Sequence, residues 1–150
     1  NDIPSAMLLA ERQIGKDRAA AIKTYEQVLA KTPDNFVVLN NLAFLALEDK
    51  KLTRAEELAK KAVSLQRENA DAADTLAQIY IAKGDKAAAL KLYEEVAARP
   101  IANDDVYLNY VSVLLELDKK ALASRKLASR EFKSEAAKQR AESLKQQYGL

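Results

Sequence analysis

Apolar residues return along this chain at helical spacing, and short polar breaks cut the pattern into regular lengths. Ala21, Ile22, Tyr25, Val28 and Leu29 form one stripe at i, i+1, i+4, i+7 and i+8. Ala55, Leu58, Ala59, Ala62, Val63 and Leu65 form a second, Ala89, Leu90, Tyr93 and Val96 a third, and Val106, Tyr107, Tyr110, Val111 and Leu114 a fourth. The breaks carry helix punctuation. Asp2 with Pro4 behind it starts a helix that closes near Gly15 in the left-handed form, and Pro33-Asp34 stops the next. A helix then runs from Phe36 to about Glu48, and Thr53 with Glu56 reads as a capping box. Another helix spans Asp71 to about Lys83 and is closed by Gly84, after which Asp85 caps its follower up to Pro100. Asp104 or Asp105 caps the next, and Ala123 and Leu127 mark one more. Ser134-Glu135 opens a last helix with Ala137, Ala141, Leu144 and Tyr148 on one side, ended by Gly149. The pattern predicts an all-helical protein of nine helices.

The stripes also repeat. Ala21, Ala55, Ala89 and Ala123 stand 34 residues apart. Around them run the columns Leu8, Leu42, Leu76, Tyr110; Leu9, Ala43, Ala77, Val111; Tyr25, Ala59, Tyr93, Leu127; and Val28, Ala62, Val96, Arg130. Fixed-period self-similarity is the mark of stacked repeats, each burying its face only against its neighbours. The small residues let two helices approach, and Leu42, Leu76, Tyr80, Tyr25 and Tyr93 fill the space around them. The expected repeats are 2–35, 36–69, 70–103 and 104–133, with a capping helix over 134–148, all one array over 1–150. At the end of the fourth repeat Phe132 is expected to supply packing where Arg130 stands on a core column.

These columns resemble the tetratricopeptide-repeat family over nearly the whole chain. In the third repeat Leu76, Ala77, Tyr80, Gly84, Ala89, Tyr93 and Val96 fall on the family's signature positions. Departures are the opening Trp, replaced by Ser5, Leu39, Ala73 and Tyr107, and Arg12 at the Tyr column. The resemblance implies a right-handed α-solenoid of four helix–turn–helix repeats plus the C-terminal capping helix. It also implies that the first helices of the repeats line a concave groove that holds a peptide or protein segment. Carried over residue by residue, that groove is lined by Asn40, Asn41, Phe44, Leu47 and Glu48, then Asp71, Asp74, Thr75, Gln78 and Ile81, then Asp105, Leu108, Asn109, Ser112 and Leu115. Phe44, Leu47, Ile81, Leu108 and Leu115 form an expected apolar strip, rimmed by the amides of Asn40, Asn41, Gln78 and Asn109. Asp71, Asp74 and Asp105 favour a partner with some positive charge. The Lys/Arg clamp of the family's chaperone-binding members is missing, because Ala6, Ala10, Asn41, Asp71 and Thr75 occupy its positions. The runs V-V-L-N-N-L-A, R-A-E-E-L-A-K-K-A and A-A-D-T-L-A-Q-I-Y also resemble bacterial repeat proteins of cell-envelope and exopolysaccharide secretion, which implies a periplasmic or envelope setting, the alternative being cytoplasmic.

Composition narrows the chemistry. The chain has no cysteine and no histidine, which removes disulfides, thiolates and the usual general base. Adjacent carboxylates such as Glu94/Glu95 point about 100° apart on a helix and cannot close on one substrate atom. There is no phosphate loop and no metal spacing, so no catalytic residue, cofactor or metal is expected. Net charge is +2 but uneven, with −6 over 68–118 and +6 over 119–150. The basic run Lys119, Lys120, Arg125, Lys126, Arg130 and Lys133 has no aromatic residues interleaved in the manner of a nucleic-acid platform, so nucleic acid is not an expected partner. The longest apolar run, Leu42 to Leu47, is far too short for a membrane span. The opening Asn1-Asp2-Ile3-Pro4 reads as a piece of a longer protein or a mature form. The expected function is a non-enzymatic interaction module, and the alternative is self-association into a homo-oligomer.

Overall fold

A computed structural model describes residues 2–150. Among these residues there are nine α-helices and no strand. The chain divides into two compact units, Asn1–Arg67 and Glu68–Leu150.

The first unit holds α1 (Ile3–Ile14), α2 (Arg18–Lys31), α3 (Phe36–Glu48) and α4 (Leu52–Leu65). α1 packs on α2, α2 on α3, and α3 on α4. Its core is built from Ala21, Tyr25, Val28, Leu39, Leu42, Ala43, Ala55, Leu58 and Ala62, the residues of the repeated columns. α1 departs from that register. It fully buries Ala10, whereas Leu8 and Leu9 stay 49% and 51% exposed. The loop explains the shift. Lys50, Gly84 and Asp118 take positive φ at the same point of three successive loops, but Lys16 does not, and Gly15 has φ −83°. Gly15 is therefore not the left-handed closure its sequence context suggested. Without that left-handed step, α1 turns a different face inward.

The second unit holds α5 (Ala70–Ala82), α6 (Lys86–Val96), α7 (Asp104–Glu116), α8 (Lys120–Ala128) and α9 (Glu135–Tyr148). α5 pairs with α6 and α7 with α8, and α7 also leans on both α5 and α6. Tyr93 and Tyr110 stack with ring centres 5.6 Å apart in the middle of this core. α8 is short, and the chain after it is pinned by side chains. Phe132 is buried edge-on to Tyr107, as the sequence suggested. Arg130 bonds Asp104 at 2.7 Å and the carbonyls of Ile101 and Ala102, while its guanidinium lies 4.3 Å from the centre of the Tyr107 ring. An arginine on a core column thus becomes a staple, with its polar atoms satisfied and its plane on an aromatic face.

Helix starts differ in detail from the sequence reading. Asn35, Asn69 and Asn103 cap α3, α5 and α7 through their side-chain oxygens. The cap expected at Asp104 or Asp105 therefore falls inside α7, and α5 begins at Ala70, one residue before the expected Asp71. Asn is a strong N-cap because its oxygen accepts an orphan backbone N–H. The Thr53 capping box does not form, and α4 starts at Leu52 with no side-chain cap. Asp85 and Ser134 cap α6 and α9 as expected, and Gly149 closes α9 at φ 67°. α9 packs chiefly on α7 and only secondarily on α8.

Candidate functional site

In the first unit the candidate residues lie on α3. Phe44 is 50% exposed and Val37, two turns earlier on the same face, is 43% exposed. Leu47, three residues after Phe44, is half-buried. Asn41 donates from Nδ2 to the Tyr25 hydroxyl at 3.1 Å, and burial raises that phenol's pKa. Asn40 is half-buried, and its Oδ1 is shut from solvent with no hydrogen-bond partner among the described residues. Behind this face Arg18 reaches from the start of α2 to the end of α3. It bonds Glu48 at 2.6 Å, Asp49 at 2.9 Å and the Leu45 carbonyl at 2.8 Å. A guanidinium placed on helix-end carbonyls satisfies orphan acceptors and opposes the negative end of the helix dipole. The α3 face is thus an apolar surface held by a polar frame. The hollow between α1 and α2, lined by Ile3, Thr24, Val28 and Lys31, contains no residue of the predicted set.

In the second unit the candidate residues behave differently. Leu108 and Leu115, expected on an open strip, are 0% and 3% exposed and belong to the hydrophobic core. They are corrections to the sequence reading. α7 also carries Asn109, where α9 meets it through Arg140. Ile81 is half-buried against this core, and α9's Leu144 and Tyr148 pack on it too.

The polar candidates form one network. The Tyr93 hydroxyl donates to Asp74 Oδ1, and Gln78 Nε2 donates to the Tyr93 oxygen at 2.9 Å. Asn109 Nδ2 donates to both Asp74 oxygens at 2.9 and 3.2 Å. Arg140 of α9 donates to Asn109 Oδ1 at 2.6 Å. Burial pushes the Asp74 carboxyl above its ordinary value, and the donors Tyr93, Asn109 and Gln78 pull partly against that rise. Burial, then the Asp74 charge, pushes the Tyr93 phenol strongly upward. The nearby expected residues Thr75 and Ser112 spend their hydroxyls on the carbonyls of Asp71 and Leu108. Asp71 accepts from Asn103, and Asp105 is exposed.

Arg140 is the participant the sequence reading missed. It stood in the helix read only as the cap of the array, and helical spacing alone does not reveal a contact across three helices. The amide and acid columns were visible; their mutual bonding was not. Among the described residues no group of three acids is placed to hold a metal ion, and no helix is long and apolar enough to cross a membrane.

Two family models describe the chain, both named tetratricopeptide repeat, over residues 15–79 and 69–99. The first begins at Gly15, beyond the out-of-register α1. No curated protein sequence matches. Among solved structures the chain is similar to a tetratricopeptide-repeat protein from Parabacteroides merdae, with TM-score 0.77 and 18% identity, covering 98% of this chain and 60% of that one. It is similar to the MamA protein, with TM-score 0.70 and 23% identity, covering 84% of this chain and 69% of that one. It is similar to the Thermobaculum terrenum O-GlcNAc transferase, with TM-score 0.69 and 20% identity, over 75% of this chain but 22% of the transferase. These likenesses show a shared fold. Recurring helix pairs on a 34-residue period and repeat models that together run from 15 to 99 give one conclusion: the chain belongs to the tetratricopeptide-repeat family.

Proposed function

We propose that this protein is a non-enzymatic interaction module that binds a segment of a partner protein on the exposed faces of the first helices of its repeats. The observation carrying this reading is Phe44, a large aromatic left half exposed on the face of α3 that also exposes Val37 two turns earlier. Apolar side chains grouped on a surface commonly mark interaction sites, and aromatic anchors dominate the energetics of such sites. Leu47 extends the apolar area, and the Asn40 and Asn41 amides border it. In the second unit the exposed Asp71 and Asp105 favour a segment carrying positive charge, mainly by speeding association.

The test is affinity capture with the purified protein and with the double variant Phe44→Ala, Leu47→Ala. Helix content should be unchanged, and partners retained by the wild type should be lost. Equal recovery by the folded variant removes α3 from consideration.

A second reading is self-association, favoured by one observation: Leu8 and Leu9 stand exposed side by side on α1. Light scattering over a concentration series separates it from the first. Dimers that disappear with Leu8→Glu, Leu9→Glu support it, and a monomer at high concentration rejects it.

A further inference from the structure

The placement of α9 is not that of an ordinary next helix in a stack. α3 leans on the second helix of the pair before it, and α7 leans more on α6 than on α5. α9 reverses this preference, lying more on α7 than on α8. It therefore sits on the first-helix side of its unit, against α7, where its Arg140 meets Asn109. Its hold there is light for a core helix. Only Ala137 and Ala141 are fully buried, with Leu144 and Tyr148 half-buried. Its one polar anchor to the network is Arg140, 2.6 Å from Asn109 Oδ1, and Asn109 in turn holds the Asp74 carboxylate. The link before α9 is fixed independently by Arg130 and Phe132, so α9 can lift at its Ser134 cap without unravelling what precedes it.

We propose that α9 is a self-ligand of the second unit: its Arg140 occupies the seat that an arginine of the partner takes, and the partner enters as α9 lifts from α7. This rests on the reading that the first-helix faces bind a partner, and it names that partner's chemistry. The occupant is a helix with small residues at i and i+4, an arginine just before the second, and a larger apolar residue at i+7, the pattern of Ala137, Arg140, Ala141 and Leu144. Such a helix competes with a tethered copy of its own pattern, so its apparent affinity falls with the fraction of chains in which α9 is docked.

The probe is a labelled synthetic peptide of residues 134–149, titrated by fluorescence polarisation onto the full chain. Removing the tethered competitor's charged hydrogen bond in the Arg140→Ala chain should raise the peptide's apparent affinity by about tenfold. A peptide that itself carries Arg140→Ala should lose that gain, and Asn109→Ala in the chain should abolish it. Hydrogen exchange supplies a second readout: α9 amides of Arg140→Ala should exchange faster while those of α7 stay protected. Equal peptide affinity for wild type and Arg140→Ala overturns the proposal, as does cooperative unfolding of the whole unit on loss of Arg140. Phe44→Ala should leave this titration unchanged. Exchange-competent peptide binding without Phe44-dependent capture would therefore sink the α3 reading and leave the self-ligand standing, and the converse result would do the opposite.

Discussion

The two units place like residues at like positions and use them differently. Tyr25 and Tyr93 are matched, as are Asn41 and Asn109, Arg18 and Lys86, and Glu48 and Glu116, each pair offset by two repeats. In the first unit the amide and the phenol meet directly, Asn41 to Tyr25 at 3.1 Å. In the second, Asp74 stands between them, bonded by Tyr93 and Asn109, with Gln78 and Arg140 added around it. Arg18 makes three bonds at the end of α3, whereas Lys86 makes one ion pair with Glu116 at 2.7 Å. A partly buried carboxylate cannot stand alone, because desolvation of the charge must be offset by donors. One acid substituted into a repeated column therefore recruits a network and, through Asn109, a further helix. The unit without it keeps Tyr25 buried on Asn41 alone and leaves Phe44 half exposed.

The comparison can be broken most forcefully at the two large candidates, Leu108 and Phe44. Leu108→Ala should cost about 2–5 kcal/mol, because a fully buried leucine leaves a cavity. Phe44→Ala should cost about 1 kcal/mol or less, because half its surface is already in water. Urea unfolding followed by circular dichroism checks both. Equal costs would mean that the α3 face is core in solution and that the units do not differ as described.

The two tyrosines give a finer test. Tyr93→Phe should cost about 1.5–3 kcal/mol, since it strips a donor from a half-buried carboxylate, and Tyr25→Phe about 0.5–1.5 kcal/mol, since it removes a single neutral bond. The order should collapse when both are remade on Asp74→Asn, where the charge is gone.

Acid titration should show the smallest effect, and two carboxylates of the second unit should oppose each other in it. Asp74 has a raised pKa in the folded state, so its contribution is present below the unfolded value and is lost as pH rises through the folded value. Asp104 is lowered from 3.8 by Arg130 and by the Lys133 backbone N–H. Its contribution is present above 3.8 and is lost as pH falls through the lower folded value. Melting curves of Asp74→Asn should lack the gain on mild acidification, and those of Asp104→Asn should lack the loss at stronger acidity.

The helices and their pairing were legible because they depend on local pattern. Periodic apolar stripes, the close approach at Ala21, Ala55, Ala89 and Ala123, and closures such as Gly84 and Gly149 all act within a few turns. A column of Asn35, Asn69 and Asn103 was equally readable as the caps of α3, α5 and α7, and at the last of them the acids Asp104 and Asp105 drew the assignment away. The phase of α1 was not legible, since it turns on a backbone angle at Lys16 that lysine's identity does not dictate: Lys50 takes the left-handed form and Lys16 does not.

The candidate site divides along the same line. Residue type and spacing by themselves determined which side chains share the first-helix faces, including the amides, the acids and Phe44. Whether a face is open depends on what lies across from it, and that is a tertiary matter. Leu108 and Leu115 carry the same helical signal as Phe44 and Leu47, yet they are buried in the core that α9 packs on. Asp74 reads as a solvated acid until Tyr93, Asn109 and Arg140 are brought around it. Burial and pairing are sums over neighbours distant in the chain, and only the folded arrangement supplies those neighbours.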